Sequence, residues 1–154
     1  MIQVSAAATR SPLRLLGEDV QDLEVISTAL QDAVLKVGDI HWEPAARRLT
    51  LELNRFRWET QERTERVRAG LQIGCVLSVK ARKIRRGAKD AVLELLALRF
   101  EPGEAPGGRV VFEFADGADL SAEVECLEAV LADVSDSWPA RRAPSHDDTR
   151  ARRP

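Results

Sequence analysis

The sequence has no tyrosine, only two histidines and only two cysteines among its 154 residues. His41 and His146 lie far apart in the chain, so they form neither a recognisable catalytic triad nor a histidine-rich metal site. Cys75 and Cys126 belong to no C-x-x-C motif, which excludes paired-cysteine zinc sites and thioredoxin-like redox motifs. We therefore predict no metal and no cofactor. We predict free thiols, with one disulfide between the two cysteines as the alternative.

Long apolar runs and phosphate-binding loops are missing as well. The apolar stretch AVLELLAL at 91–98 contains a glutamate and is far shorter than the roughly 20 residues that cross a bilayer, so we predict no membrane span. The first twelve residues lack the charged start and apolar core of a secretion signal, which predicts a cytoplasmic protein. GEAPGGRV has Arg109 and Val110 where a phosphate-binding loop needs lysine and then serine or threonine.

The composition indicates one globular domain. Apolar residues make up 44% of the chain and charged residues 31%, which are ordinary values for a protein that builds a single core. We predict a flexible N-terminus at 1–12 and a single globular domain at 13–138. A disordered basic tail follows at 139–154, where prolines and arginines replace the apolar period.

Two segments repeat their apolar side chains at helical spacing. In residues 18–32 the apolar positions fall three or four apart, and Asp19 is the expected N-cap. Residues 125–138 repeat this spacing until Pro139 ends it. These patterns predict an N-terminal helix and a C-terminal helix that caps a sheet.

Between these segments the apolar period changes to two. The odd positions from Val67 to Ala81 are apolar over a length too great for one strand, so we predict a bend at Gly74 between two strands of one phase. The period slips at 54–55, which indicates a bulge or a twist, and Asp116–Gly117 are typical of a hairpin turn. The seven predicted strands are 33–43, 48–58, 66–73, 75–82, 91–100, 109–115 and 118–125.

Five segments carry a family resemblance. They are LQDAVLKVGDIHW, RRLTLELNRFRWE, VLSVKARKI, AVLELLALRFEP and VECLEAVLADVSDSW. From about Leu13 to Trp138 the chain resembles a family of small bacterial proteins classified as a domain of unknown function. The resemblance implies a self-standing domain, but it implies no substrate, cofactor or catalytic residue.

The order of the predicted elements is similar to that of the pleckstrin-homology-like barrel, in which a closing helix follows seven strands. We therefore predict an α+β fold that is mainly antiparallel β. It would be a seven-stranded pleckstrin-homology-like barrel or curved sheet, with an N-terminal helix and a C-terminal capping helix. An open antiparallel sheet packed by two helices satisfies the same order. The likeness to such barrels implies loops that bind phosphoinositides or peptides.

Charge is distributed unevenly along a chain whose net charge is −2. Residues 47–89 hold thirteen basic and four acidic side chains, whereas residues 90–138 hold two basic and twelve acidic ones. The basic segment can attract an anionic partner, because clustered charges of one sign steer association. Alternatively, the acidic segment neutralises it within the fold. The sequence leaves both interpretations open.

We predict a non-catalytic binding or adaptor domain that engages an acidic or phosphorylated partner through the basic segment. A nucleic-acid-binding protein, assisted by the arginine-rich tail, is the first alternative. A small acid–base enzyme that uses Asp39, His41 and Glu59 is the second. An exposed last strand could also pair two copies into a homodimer. The candidate binding residues are Arg55, Arg57, Trp58, Lys80, Arg82, Arg85, Arg86 and Lys89.

Overall fold

The computed structural model describes residues 12–57, 65–135 and 138–139. Within them one α-helix, α1, runs from Val20 to Ala29. No helix of the described residues is long and apolar enough to cross a bilayer. The strands are β1 Arg14–Gly17, β2 Val34–Lys36, β3 Ile40–Glu43, β4 Arg48–Phe56, β5 Glu65–Ile73, β6 Val76–Arg82, β7 Val92–Pro102, β8 Gly108–Phe114, β9 Asp119–Val124, β10 Ala129–Asp133 and the two-residue β11 Trp138–Pro139.

All strand pairings in this part of the chain are antiparallel, so the predicted α+β class with a mainly antiparallel sheet is confirmed. The strand order is β1, β10, β5, β4, β2, β7, β8, β9, β6; in addition, β3 pairs with β4 and β11 pairs with β5. β7 joins the two halves of the sheet, because its first residues pair with β2 and the rest with β8. The chain crosses between the halves again where β5 ends and β6 begins.

The core is filled by alternate residues of the central strands. On β4 and β5 the odd-numbered side chains point inward, and those of Leu49, Leu51, Leu71 and Ile73 are fully buried. The register places Leu49 opposite Ile73 and Leu51 opposite Leu71, so large aliphatic side chains face one another across the strands. Burying each of them contributes about 1.5–3 kcal/mol. The period of two in the sequence thus defines this part of the core.

Helix α1 begins at its predicted N-cap. The carboxylate of Asp19 accepts a hydrogen bond of 2.8 Å from the backbone N–H of Asp22, which satisfies one of the free donors of the first turn. The helix packs against β7. There Ser27 Oγ accepts a 3.0 Å hydrogen bond from the N–H of Leu98, next to a shift of register between Leu95 and Ala97. Ser27 thus accepts a hydrogen bond from a backbone N–H group at the place where the pairing of β7 and β8 is irregular.

The predicted C-terminal helix at 125–138 is wrong. Ala129–Asp133 form strand β10, which is bonded to β1 on one side and to β5 on the other. Ala129 and Leu131 are buried, whereas Val134, which helical spacing would bury, is exposed. The segment satisfies a period of two as well as a helical period. The strand prevails because it completes two ladders of backbone hydrogen bonds.

The predicted bend at Gly74 is confirmed, but the single phase on both sides of it is wrong. Cys75 has a φ of 57°, in the left-handed region, so the chain turns there. As a result, Val76 is buried and Leu77 is 52% exposed. A further shift of register lies between Val76 and Ser78. Most side chains of β6 are therefore exposed.

The hairpin turn at Asp116–Gly117 is confirmed. Both residues have positive φ, of 67° and 79°, and the N–H of Phe114 donates to the carbonyl of Ala118 at 2.9 Å. The predicted strand at 33–43 is divided by a 3-10 turn at Val37–Asp39. β3 and β6 are not paired with each other, so the sheet is not closed within the described residues. The likeness to a pleckstrin-homology-like barrel stays a prediction.

The predicted chain ends are largely untested. Apart from residues 12 and 139, the N-terminus at 1–12 and the basic tail at 139–154 lie outside the described residues. The first strand begins at Arg14 and the last ends at Pro139, near the predicted domain limits.

Candidate functional site

Two of the predicted binding arginines lie inside the fold. The side chain of Arg55 is fully buried, and Arg57 is 4% exposed. Of the bulge or twist predicted at 54–55, the bulge is wrong, because the register of β4 and β5 continues without a shift to the last pair, Phe56 and Arg66. Arg55 therefore keeps the inward phase of Leu53. Burial removes Arg55 and Arg57 from any surface that a partner could contact, which corrects the prediction for both.

A buried carboxylate explains why Arg55 points inward. Its Nε and Nη2 donate to the two carboxylate oxygens of Asp133, each at 2.9 Å, and its Nη1 donates to the carbonyl of Phe56 at 2.9 Å. Asp133 also accepts a 2.8 Å hydrogen bond from the N–H of Leu13. Such a two-pronged pair satisfies both charges inside the protein. The pair joins β4 to β10 and to Leu13, the residue before β1, so Arg55 has a structural role.

Asp39 and His41, two of the residues predicted for acid–base chemistry, lie in one polar cluster. Arg68 Nη2 donates to Asp39 at 3.2 Å and to Glu52 at 3.1 Å, while its Nη1 donates to Asn54 at 3.2 Å. His41 Nε2 lies 3.7 Å from a carboxylate oxygen of Glu52. The third predicted residue, Glu59, lies outside the described residues.

This cluster also has the donor atoms of a metal site. Asp39, His41 and Glu52 each place one potential ligand atom within 4.8 Å of the others. Arg68 donates to both carboxylates, so its guanidinium already neutralises the charge that would attract a cation. The cluster therefore fits an ion-pair network better than a metal centre. Sequence analysis missed Glu52, although strand alternation places it on the same face of β4 as Asn54.

Several exposed cations of the basic segment are paired with nearby carboxylates. Arg82 donates through Nε to Asp119 at 2.9 Å, and this hydrogen bond is the main reason why the pKa of Asp119 is lowered from its ordinary value. Arg47 Nη1 donates to Glu125 at 3.0 Å. Arg82, a predicted binding residue, is thus exposed but already paired. Exposed pairs of this kind contribute little to stability.

The remaining cations around β6 have different surroundings. Four of them are predicted binding residues, and Lys83 is the fifth. All are exposed, and none lies within 4.0 Å of a carboxylate of the described residues. We call them the β6 cations. They are Lys80, Lys83, Arg85, Arg86 and Lys89.

A groove of about 720 Å³ lies beside the β6 cations. Arg86 and Lys89 line it, together with His41 of β3. Its apolar lining comes from both halves of the sheet. The apolar side chains that line it are Val37, Ile40, Trp42, Val79, Ala81, Ile84 and Leu120. The groove therefore combines an apolar surface with two cations that have no carboxylate partner among the described residues.

The groove lies between two incompletely paired strands. In the part of the chain that the structure describes, β3 pairs only with β4 and β6 pairs only with β9. Each strand thus has one edge without a strand partner, and both strands contribute to the groove. Backbone N–H and C=O groups on such an edge can bond to an extended chain.

The loop after β6 is attached to the sheet next to the groove. The N–H of Gly38 donates to the carbonyl of Lys89 at 2.9 Å, and the N–H of Val37 donates to that of Ala91 at 2.9 Å. A Cβ atom on Gly38 would lie 3.1 Å from both Cβ and O of Lys89. A side chain at this position would push the loop away by a few tenths of an ångström, so glycine favours the close approach.

Sequence analysis identified part of this groove. Of the predicted residues the structure brings Arg86 and Lys89 together, with Lys80 and Arg85 on the same strand and loop. Trp58 lies outside the described residues. The apolar lining was missed as a binding surface, since Trp42, Val79 and Ile84 follow ordinary core patterns in the sequence. The groove becomes evident only in the fold, where β3 and the β6 region, which are distant in the chain, line the same space.

Comparison with known proteins gives a family but no characterised relative. No match was found among curated proteins, and none was found among solved structures. A family model described as "Protein of unknown function (DUF2948)" matches residues 13–146. This range covers most of the chain, including every described strand and the groove between β3 and β6. The chain therefore belongs to that family of unknown function.

Proposed function

We propose that this protein is a non-catalytic binding domain whose groove between β3 and β6 holds an extended acidic segment of a partner protein. The observation that carries the proposal is the position of Arg86 and Lys89. They line an apolar groove without a carboxylate partner among the described residues. The buried Arg55 of β4 and the buried Arg57 just after it, in contrast, are paired with carboxylates within the fold.

The chemistry of the groove favours a peptide in the extended conformation. Such a peptide can bond through its backbone to the free edge of β3 or β6. Its side chains alternate between two faces, so apolar residues can contact Trp42, Val79 and Ile84 while acidic residues reach Arg86 and Lys89. A phosphorylated segment offers the same anionic chemistry.

The other predicted functions have less support. Asp39 and His41 are engaged with Arg68 and Glu52, which leaves no free acid–base pair among these four side chains. The β6 cations could bind nucleic acid, but the aromatic residue in the groove, Trp42, is partly buried and packs against the core. Stacking on bases needs exposed rings. The proposal keeps the predicted cytoplasmic location, where a partner segment would be accessible.

The test uses a short fluorescein-labelled peptide that alternates glutamate and valine, with binding followed by fluorescence polarisation. We expect Arg86→Glu and Lys89→Glu each to weaken binding roughly fivefold, because each reversal removes an attraction of about 1 kcal/mol. Arg14→Glu is the matched control, since Arg14 is exposed on β1 and contributes nothing to the groove. A phosphoserine version of the peptide distinguishes phosphorylated from acidic partners.

Three results would contradict the proposal. One is equal weakening by Arg14→Glu and Arg86→Glu, which would indicate non-specific attraction. Another is equal binding of a lysine–valine peptide. The last is tighter binding of a short oligothymidylate, with affinity that falls steeply as salt rises, which would favour nucleic acid. Sedimentation of the free protein shows whether a second copy occupies the edge of β3 instead.

A further inference from the structure

Two cysteines that are distant in the chain lie side by side in the structure. Cys75 occupies the corner between β5 and β6, and Cys126 lies between β9 and β10, 51 positions later. Their Sγ atoms are 3.6 Å apart, and both residues are partly exposed. The N–H of Glu125 donates to the carbonyl of Cys75 at 3.0 Å, which holds the two segments together. The two sulfur atoms are thus adjacent because their backbone segments are bonded to each other.

We propose that Cys75 and Cys126 form a reversible disulfide, so that the corner between β5 and β6 is a site of thiol oxidation. A disulfide needs sulfur atoms about 2.05 Å apart, and side-chain rotation can supply much of the approach from 3.6 Å. Both thiols are accessible to a small oxidant, because neither is fully buried.

The oxidant is a low-molecular-weight disulfide such as oxidised glutathione. The thiolate of one cysteine attacks a glutathione sulfur, forms a mixed disulfide and releases one glutathione. The sulfur of the second cysteine then attacks the mixed disulfide, the Cys75–Cys126 bond forms, and the second glutathione leaves. The two cysteines lose two electrons and two protons in total, and oxidised glutathione becomes two reduced molecules.

The surroundings of Cys75 affect the pH at which its own thiol can attack. The hydrogen bond with Cys126, burial and the nearby negative charge of Glu128 raise the pKa of Cys75 to about 11. The Cys75 thiol lies 3.6 Å from a carboxylate oxygen of Glu128. Because the thiolate is the attacking form, attack by Cys75 is slow at neutral pH and becomes faster as the pH rises.

A disulfide at this place would fix the start of β6. Cys75 is the left-handed residue at which the chain turns from one half of the sheet to the other. Linking it to the segment before β10 would fix the direction in which β6 leaves the corner. β6 forms one side of the groove, so oxidation acts on the same part of the fold as the proposed ligand.

The test incubates the reduced full chain with oxidised glutathione and measures intact mass and free thiols. We expect the wild type to lose both thiols and two hydrogen atoms of mass, with glutathione adducts on roughly a tenth of chains or fewer. Cys75→Ser and Cys126→Ser, which lack the second sulfur, should instead retain one adduct per chain. The oxidised wild type should unfold at a temperature roughly 5 °C higher, and dithiothreitol should reverse all changes.

A second variant tests the role assigned to Glu128. Glu128→Gln removes the negative charge beside Cys75, so exchange at neutral pH should become faster, whereas the exposed Glu104→Gln should have no effect. Lasting glutathione adducts on both wild-type cysteines, disulfide-linked dimers, or thiols that do not react in the wild type would each overturn the proposal. Failure of the disulfide proposal would not contradict the proposed peptide binding, because peptide binding at the groove is measured in a separate experiment.

Discussion

Arg55 of β4 and the β6 cations come from the same basic segment of the chain but have opposite surroundings. Arg55 is buried and bonded to both oxygens of Asp133, whereas Arg86 and Lys89 are exposed and have no carboxylate partner among the described residues. The two explanations of the basic segment therefore concern different residues. Asp133 neutralises Arg55 within the fold, whereas the β6 cations have no carboxylate within 4.0 Å among the described residues.

The largest expected effect on stability comes from replacing a buried cation. Arg55→Met should lower the free energy of unfolding by about 3–5 kcal/mol, because it leaves the Asp133 carboxylate buried without its partner. Arg85→Met, which removes a β6 cation, should change it by no more than about 0.5 kcal/mol. Urea unfolding measures both values. If the two variants lose similar stability, the contrast between β4 and β6 does not hold.

If Arg55→Met does not fold, a double variant that also removes the Asp133 carboxylate allows the same comparison. The double variant Arg55→Met with Asp133→Leu removes both charges and should recover part of the lost stability. No recovery would show that the charge left in the core is not the cause of the loss.

A partly exposed cation should have an intermediate effect. Arg68 bonds to Asn54, Asp39 and Glu52 and retains about a third of its side-chain exposure. Arg68→Met should cost about 1–2 kcal/mol of unfolding free energy, since two neighbouring carboxylates lose a shared donor. Lys80→Met on β6 is the control and should be nearly neutral. A neutral Arg68→Met would mean that the cluster adds nothing to stability.

The smallest expected effect concerns an exposed pair on β6. Arg82 lowers the pKa of Asp119 below its ordinary 3.8 through a hydrogen bond and its charge. The folded state therefore gains stability above pH 3.8, and the gain disappears as the pH falls through the lowered pKa. Asp119→Asn should lower the unfolding temperature by no more than about 2 °C at neutral pH and by less at acid pH.

Asp116→Asn is the matched control for that measurement. Asp116 lies in the adjacent turn with a φ of 67°, a conformation that asparagine also tolerates. Its replacement should leave the pH dependence of the unfolding temperature unchanged. Equal pH dependence in both variants would assign the effect to general charge and not to the pair of Arg82 and Asp119.

Local patterns in the sequence were enough to predict several elements. Asp19 as the N-cap, the Asp116–Gly117 turn and the bend at Gly74 each depend on residues within a few positions, and all three are confirmed. The C-terminal helix was wrong because β10 is a strand only in the presence of β1 and β5. Its own residues fit either period, so the choice depends on distant parts of the chain.

The site was less predictable for the same reason. Arg55 was expected to bind a partner because an arginine usually lies at the surface, and its buried partner Asp133 is 78 positions away. The sequence shows the cations of the groove as a run of charged residues. The sequence does not show the apolar lining of the groove, because β3 and β6 approach each other only in the folded chain. Charge could be predicted from composition, but the pairing of each charge could not.

The hydrogen bonds that Val37 and Gly38 donate to the loop after β6 also determine what binding costs in conformational entropy. The carbonyl of Lys89 is held at 2.9 Å by Gly38, while the carbonyl of Arg85 accepts only a turn bond of 3.1 Å from Ala88. A segment bound as we propose would therefore meet a fixed backbone at Lys89 and would have to order less of the loop there. The Lys89 end of the groove should be where a bound segment is best ordered.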